Sequence, residues 1–282
     1  MNIAQALAEA KSVLVASLSE DQASLESQVL LASLLGKPRS WLFAHPEHDI
    51  GAVEAQFRVM VGRRFTGEPL EYITGRVEFY GLALAVSPAV LVPRPETEIL
   101  VEASLEALAS HVSPLVADVG TGSGAIALAI AAQRPDARIV ATDLSLPALA
   151  VAAHNMQQLS LQEHVDLVCC DLLSAVAARF QLIAANLPYV ASGEMDSDSQ
   201  TVARFEPHLA LDGGPDGLAQ VRRLLPVARD HLLPGGMLLA EIGAMQGKAA
   251  VSLALSFYRD ADVSVLRDLA GLDRVLRVRF SS

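Results

Sequence analysis

"PLVADVGTGSGAIA", Pro114 to Ala127, is the stretch on which the architecture of this chain turns. Its first seven residues make a short apolar run of the kind found in strands buried on both faces. Gly120, Gly122 and Gly124 follow, and they let the chain turn tightly and bring its backbone close to a ligand with no side chain in the way. Ala125 to Gln133 then reads as a helix. In open α/β sheets ligands bind beyond the carboxyl ends of strands, and this turn lies at such an end. Its spacing is G-x-G-x-G, with Asp118 just upstream. A nicotinamide dinucleotide site would space its glycines G-x-G-x-x-G, so a nicotinamide oxidoreductase fits poorly.

The same alternation continues downstream. "ARIVATD" reads as a strand, Pro147 to Leu159 as a helix, and "HVDLVCCD" and "FQLIAAN" as strands. A helix around Gln220 to Leu233, the strand "GGMLLAEIG" and a helix near Gln246 to Phe257 follow. "DVSVLRD" and "DRVLRVRF" close the chain as two late strands suited to an antiparallel edge. Such βαβα order predicts an α/β fold with a mostly parallel sheet covered on both faces. Upstream, "VEFYGLALAV" alternates around Gly81 and predicts a β-hairpin. Pro93 and Pro95 hold Arg94 in an extended segment, and Glu96 and Glu98 open a helix whose N-terminal dipole they suit. From Asn2 to about Gly67 the period is helical throughout, which predicts a small all-helical domain ended by Gly67 and Pro69.

Bulk properties narrow the function classes. The chain has 282 residues, 52% of them hydrophobic, so a sizeable core is available. A net charge of -11 argues against broad electrostatic binding to nucleic acid, which needs clustered Lys and Arg. The adjacent Cys169 and Cys170 read as reduced strand residues. His45 and His48 lack a third ligand at suitable spacing, so no metal is expected. No apolar stretch approaches the roughly 20 residues of a membrane span. Met1 to Leu18 lacks a basic leader and contains Glu9, so a cytoplasmic protein away from the membrane is expected.

Three further strand ends bear on chemistry. Asp143, after the second strand of the α/β region, is placed to accept from both hydroxyls of a ribose; the other reading is a helix cap, which Ser145 would supply equally well. Cys170 and Asp171 end the third strand, where they would bracket an adenine ring. "AANLPYVAS", Ala184 to Ser192, presents an amide, a stiffened peptide and an aromatic ring after the fourth. Arg94 and Glu96 either border a substrate entrance or pair with each other, and Asp212, Gly213 and Gly214 read as a structural turn.

With "DVGTGSG", Asp143, Asp171 and "NLPY" in that order, the chain resembles class I S-adenosylmethionine-dependent methyltransferases. "EYITGRVEFYGLALAVSPAVLVPRPETEILVE", "EPHLALDGGPDGL" and "DLAGLDRVLRVRF" narrow the likeness. Together they resemble the protein-(glutamine-N5) methyltransferases that modify peptide-chain release factors, often called HemK or PrmC. The likeness runs from about Glu71 to Phe280. It implies a Rossmann-like domain with a mostly parallel seven-stranded sheet over 97–282, a connecting β-hairpin over 71–96 and a helical substrate-recognition domain over 1–70. It also implies S-adenosylmethionine as cofactor and class 1 release factors as protein substrate, methylated at the glutamine of Gly-Gly-Gln.

By that resemblance Gly120, Thr121, Gly122, Ser123 and Gly124 hold the methionyl and ribose portions, Asp143 the ribose hydroxyls, and Asp171 with Leu172 the adenine surroundings. Asn186, Leu187, Pro188 and Tyr189 receive the glutamine, and Asn186 also borders the cofactor. The family pattern there is Asn-Pro-Pro-Tyr. Leu187 stands where the first proline would fix φ, which leaves this loop less constrained. Asn-Leu-Pro-Tyr is also similar to the motif of ribosomal-RNA adenine dimethyltransferases, whose target is likewise a planar NH2 group.

Overall fold

The computed structural model describes residues 1–194 and 204–280. The chain forms two compact units, Met1–Arg76 and Val77–Ser282.

The first unit contains α1 (Ile3–Leu14), α2 (Glu20–Leu35), α3 (Arg39–Ala44), α4 (Glu54–Phe65) and α5 (Leu70–Thr74). Asn2 and Ser19 start α1 and α2 through capping boxes with Gln5 and Gln22, satisfying backbone N–H groups that have no partner inside the helix. Gly36, at φ +62°, ends α2 in the left-handed conformation that a side chain disfavours. Ile3, Leu14, Leu30, Leu31, Leu42 and Phe57 form the core of this unit.

In the second unit, β1 (Arg76–Phe79) and β2 (Leu82–Ala85) make the hairpin, Arg76 itself falling in the first unit. Tyr80 and Gly81 both have positive φ, as the two-residue turn matching strand twist requires, and Glu98 Oε1 accepts the Tyr80 N–H. A 3-10 turn, Pro95–Thr97, leads into α6 (Glu98–Leu108). Then β3 (Leu115–Val119), α7 (Ala125–Gln133), β4 (Arg138–Asp143), α8 (Leu146–Gln158), β5 (Val165–Cys169) and β6 (Phe180–Ala185) alternate. The chain continues through α9 (Ala219–His231), β7 (Leu232–Glu241), α10 (Gly247–Phe257), β8 (Asp262–Arg267) and β9 (Asp273–Arg279).

The seven-stranded sheet has the order β5-β4-β3-β6-β7-β9-β8. The β5-β4-β3-β6-β7 part is parallel, and β9 runs antiparallel between β7 and β8. The expected α/β fold and antiparallel edge are therefore both present. β7 starts three residues before the apolar motif suggested, at Leu232, with a register irregularity where Phe180 and Leu182 pair with it. Period-2 alternation sorts β6 between the two faces: Leu182 and Ala184 join one core with Leu100, Leu128 and Ile130, while Ile183 and Ala185 join another with Leu224, Leu225 and Leu238. Ala125 to Ala131 of α7 are all buried, which is why that helix carries no polar stripe.

Candidate active site

The site is assembled at the carboxyl ends of β3, β4, β5 and β6. Asp118, near the end of β3, is fully buried; its Oδ2 accepts from Thr121 Oγ1 (2.6 Å) and from the Ala127 N–H (3.1 Å). The glycine turn is thereby tied at both ends, to its strand and to α7. Burial pushes the Asp118 carboxyl up to about 6, opposed by those two hydrogen bonds. Gly120, Gly122 and Gly124 all lie at positive φ, +76°, +56° and +84°. The Gly120 and Thr121 N–H groups donate to the Thr142 carbonyl, fixing the turn to the end of β4.

Asp143, the last residue of β4, uses both carboxylate oxygens locally: Oδ2 accepts the Gly122 N–H (2.9 Å) and Oδ1 the Ser145 N–H (2.8 Å). Each oxygen retains a further lone pair for a hydroxyl. Ser145 caps α8 through the Ala148 N–H, so the cap does not need Asp143. Asp171 forms an ion pair with Arg223 Nη2 at 2.5 Å. Leu172 has φ +52°, a left-handed conformation unusual for a leucine, in the wall of the same cleft.

This cleft, about 1130 Å³ including its open mouth, is lined by Gly120, Thr121, Gly122, Ser123, Asp143, Asp171, Leu172, Asn186, Leu187 and Pro188 among others. It gathers all but two of the site residues read from sequence. Gly124 instead packs against Leu128 and Ala152, close enough that a Cβ would crowd both. Tyr189 lies behind the loop, its hydroxyl donating to Glu241 Oε1 at 3.3 Å. Burial and the neighbouring Glu241 charge push the phenol well above its ordinary range.

The cleft suits a nucleoside carrying an amino-acid chain. Where a Cβ on Gly122 would stand there is open space, so the backbone offers a close approach. Asp143 supplies acceptors, and Leu144, Cys170 and Leu172 give an apolar slot. That donor and acceptor set fits S-adenosylmethionine.

Asn186 follows β6. Its Nδ2 donates to Thr97 Oγ1 at 3.1 Å, which leaves Oδ1 without a partner among the described residues. The loop is held from behind by Gln246, whose Nε2 donates to the Tyr189 carbonyl (2.8 Å). Gly213 packs so closely that a Cβ there would stand 2.7 Å from Tyr189 Cα and 2.8 Å from the Pro188 oxygen. The turn read at Asp212 to Gly214 thus braces the NLPY loop.

Two alignments of the chain with known families match the two units in turn. Residues 5–75 match the PrmC N-terminal domain, and residues 96–213 match the methyltransferase small domain. The release factor glutamine methyltransferase of Moorella thermoacetica is 43% identical over 276 residues, covering 97% of each chain. This chain belongs to the release factor glutamine methyltransferases. The enzyme of that family from Bradyrhizobium diazoefficiens is 39% identical, covering 98% of this chain and 95% of its own. A methyltransferase structure from Pyrococcus furiosus superposes with a TM-score of 0.53 at 17% identity, over 82% of this chain and all of that one, a likeness of fold. S-adenosylmethionine is accordingly the cofactor of this release factor glutamine methyltransferase.

Glu206, in this methyltransferase's site, was not singled out from sequence. Arg94 does not pair with Glu96; its Nη2 bonds both oxygens of the buried Glu206, at 2.8 and 2.7 Å. That pair joins the Pro93 wall of the cleft to its Pro207 and Leu209 wall. Thr97 and Glu241 also escaped notice. Glu241 carried a usable signal, an acid closing the apolar strand "GGMLLAE", the same feature that marked Asp143. Among the described residues no cluster of His, Cys, Asp and Glu could hold a metal, and no helix is long and apolar enough to cross a membrane.

Proposed function

We propose that the chain transfers a methyl group to the side-chain amide nitrogen of the glutamine in the Gly-Gly-Gln motif of class 1 peptide-chain release factors. The observation that carries this reading is the unpartnered Asn186 Oδ1 in the same cleft as the glycine turn. S-adenosylmethionine, when bound, supplies an electrophilic methyl group on a sulfonium. Gly120 to Ser123, Asp143, Asp171 and Leu172 are the residues that would hold it.

A glutamine nitrogen is a poor nucleophile because its lone pair is delocalised into the carbonyl. Asn186 Oδ1 and the Leu187 carbonyl accept its two N–H groups and turn the remaining electron density toward the methyl position. Orientation of this kind is worth several kcal/mol, with about 7–11 as the range for ideal positioning. As the new N–C bond forms the nitrogen becomes positive, its N–H groups become stronger donors, and both acceptors stabilise the transition state more than the ground state. The N–H turns acidic only at that stage, so no general base has to act beforehand. Pro188 stiffens the loop, and Tyr189 supports it through Glu241.

The helical unit serves to recognise the release factor, since the residues assigned to chemistry all lie in the second unit. The net charge of -11 supports a protein substrate over a stable nucleic-acid complex, and a release factor substrate implies action in the cytoplasm. Incubation with an intact release factor and labelled S-adenosylmethionine, followed by mass spectrometry, tests the reading. The label is expected on the Gly-Gly-Gln glutamine; label on RNA adenine and none on the protein would overturn it.

A further inference from the structure

β6 and β7 run parallel with Ala185 opposite Ala240, and one side chain ties together the segments that follow them. Gln246, the residue before α10, donates from Nε2 to the Tyr189 carbonyl (2.8 Å) and accepts the Gly243 N–H at Oε1 (2.8 Å). Both partners are main-chain groups, one able only to accept and the other only to donate, so they dictate which end of the amide points where. Gly217, at φ +69°, packs so closely that a Cβ on it would collide with both Gln246 Nε2 and the Tyr189 oxygen. Val190 is anchored next: its N–H donates to the Leu211 carbonyl (3.0 Å) and its carbonyl accepts the Gly213 N–H (2.8 Å). On the other side Thr97 holds Asn186 Nδ2. The Leu187–Pro188 peptide hangs between these fixed points and, among the described residues, makes no hydrogen bond of its own. Leu187 lacks a ring to fix φ, so the direction of its carbonyl depends on how firmly its neighbours are held.

We propose that Gln246 is a positioning residue for methyl transfer: by holding the Tyr189 carbonyl against the turn after β7, it aims the Leu187 carbonyl at the substrate NH2. The inference rests on the glutamine reading and deepens it, because it names what replaces the missing proline ring in keeping this loop in place. Gln246 lies behind the loop and outside the residues lining the cleft, so it acts through the main chain and touches neither substrate nor cofactor. A misplacement of about 1 Å at the reacting groups can cost about 10²-fold in rate, which sets the scale of the effect.

The test compares Gln246→Met and Gln246→Glu in the full chain, with an intact release factor and S-adenosylmethionine. Gln246→Met keeps the length and loses both hydrogen bonds. It should lower kcat about 10- to 100-fold, with KM for the release factor and calorimetric cofactor affinity within about threefold. Gln246→Glu is the sharper variant. Ionised, it has no hydrogen to offer the Tyr189 carbonyl; protonated, one oxygen accepts from Gly243 while the other donates to Tyr189, as the amide does. The charged groups on the elements packed here are Glu241 and Arg274 around Tyr189, Asp273 against Gly247, and Asp216 beside Gly217, itself paired with Arg222. The kcat of Gln246→Glu relative to wild type should therefore climb about tenfold from about pH 8 to about pH 5, while that of Gln246→Met stays level. Tyr189–Val190 is the one Tyr-Val pair in the sequence, so labelling tyrosine carbonyl carbon and valine nitrogen reports on this peptide by NMR without any substrate. Its carbonyl shift should move in Gln246→Met and return toward wild type when Gln246→Glu is acidified. Wild-type kcat in Gln246→Met, a Gln246→Glu ratio as level as that of Gln246→Met, or an unmoved carbonyl shift would overturn the proposal. Failure of the glutamine reading would look different: the wild-type chain would leave the release factor unmodified, while the carbonyl shift still responded to both variants.

Discussion

Replacing Gly120 by alanine probes the contact between the cofactor turn and the substrate loop. The residue sits at φ +76°, where a Cβ costs about 1–2 kcal/mol. That Cβ would also stand 2.8 Å from Leu187 Cδ2, well inside the contact distance of about 3.5–4.0 Å between carbon atoms. Leu187 is only 8% exposed and packs in the core beside Val119 and Ala185, so it yields at an overpacking cost of about 1–3 kcal/mol. Gly120→Ala should therefore destabilise the second unit by about 2–5 kcal/mol. Urea denaturation followed by circular dichroism reads this as a lower midpoint at unchanged m value. Leu187→Ala removes the crowded atoms but leaves the φ strain. The double variant should then be more stable than the summed single losses by about 1–3 kcal/mol. Additivity within about 0.5 kcal/mol would show that Leu187 does not cover Gly120, and a Gly120→Ala midpoint equal to wild type would refute the left-handed turn as well.

Asp143→Ala should weaken S-adenosylmethionine binding by about 1.5–3 kcal/mol, the range for a hydrogen bond to a charged group, and unchanged calorimetric affinity would remove the ribose assignment. Asn186→Ala should slow methyl transfer by about 10²–10³ at unaltered cofactor affinity, with Asn186→Asp more active than alanine if the residue acts as an acceptor; equal collapse of both would point to its NH2 group. Asp118 binds its proton more tightly in the folded chain, so its contribution to stability is complete below about 3.8 and is lost as pH rises through about 6, roughly 3 kcal/mol in all. Asp118→Asn should flatten that step in a pH series of melting curves, and an unchanged step would assign it to another group. A chain beginning at Val77 should bind cofactor but methylate an intact release factor poorly; full-length rates would end the recognition role of the helical unit.

The parts of this protein legible in its sequence are those fixed within a few residues. The Gly120 to Gly124 turn and the helix Ala125–Gln133 were readable because positive φ and helical start are local preferences. Ser145 caps α8 for the same reason, and Pro93 and Pro95 hold Arg94 extended at φ -98° and ψ 145°. Apolar runs marked the strands of the sheet, including the antiparallel pair at its edge, since burial of one or both faces leaves a period in the residues themselves.

What tertiary structure alone decided are the partners of the polar groups. Asn186 meets Thr97 across 89 residues of sequence, and Arg94 meets Glu206 across 112. The buried Asn155 ties Ala85 of the hairpin and Ser123 of the cofactor turn to α8. Insertion of β9 between β7 and β8 is equally invisible in any local pattern. Periodicity says only that a face is buried. Which carboxylate ends beside which amide depends on strand order and register, and those are settled when the whole sheet buries its two faces together.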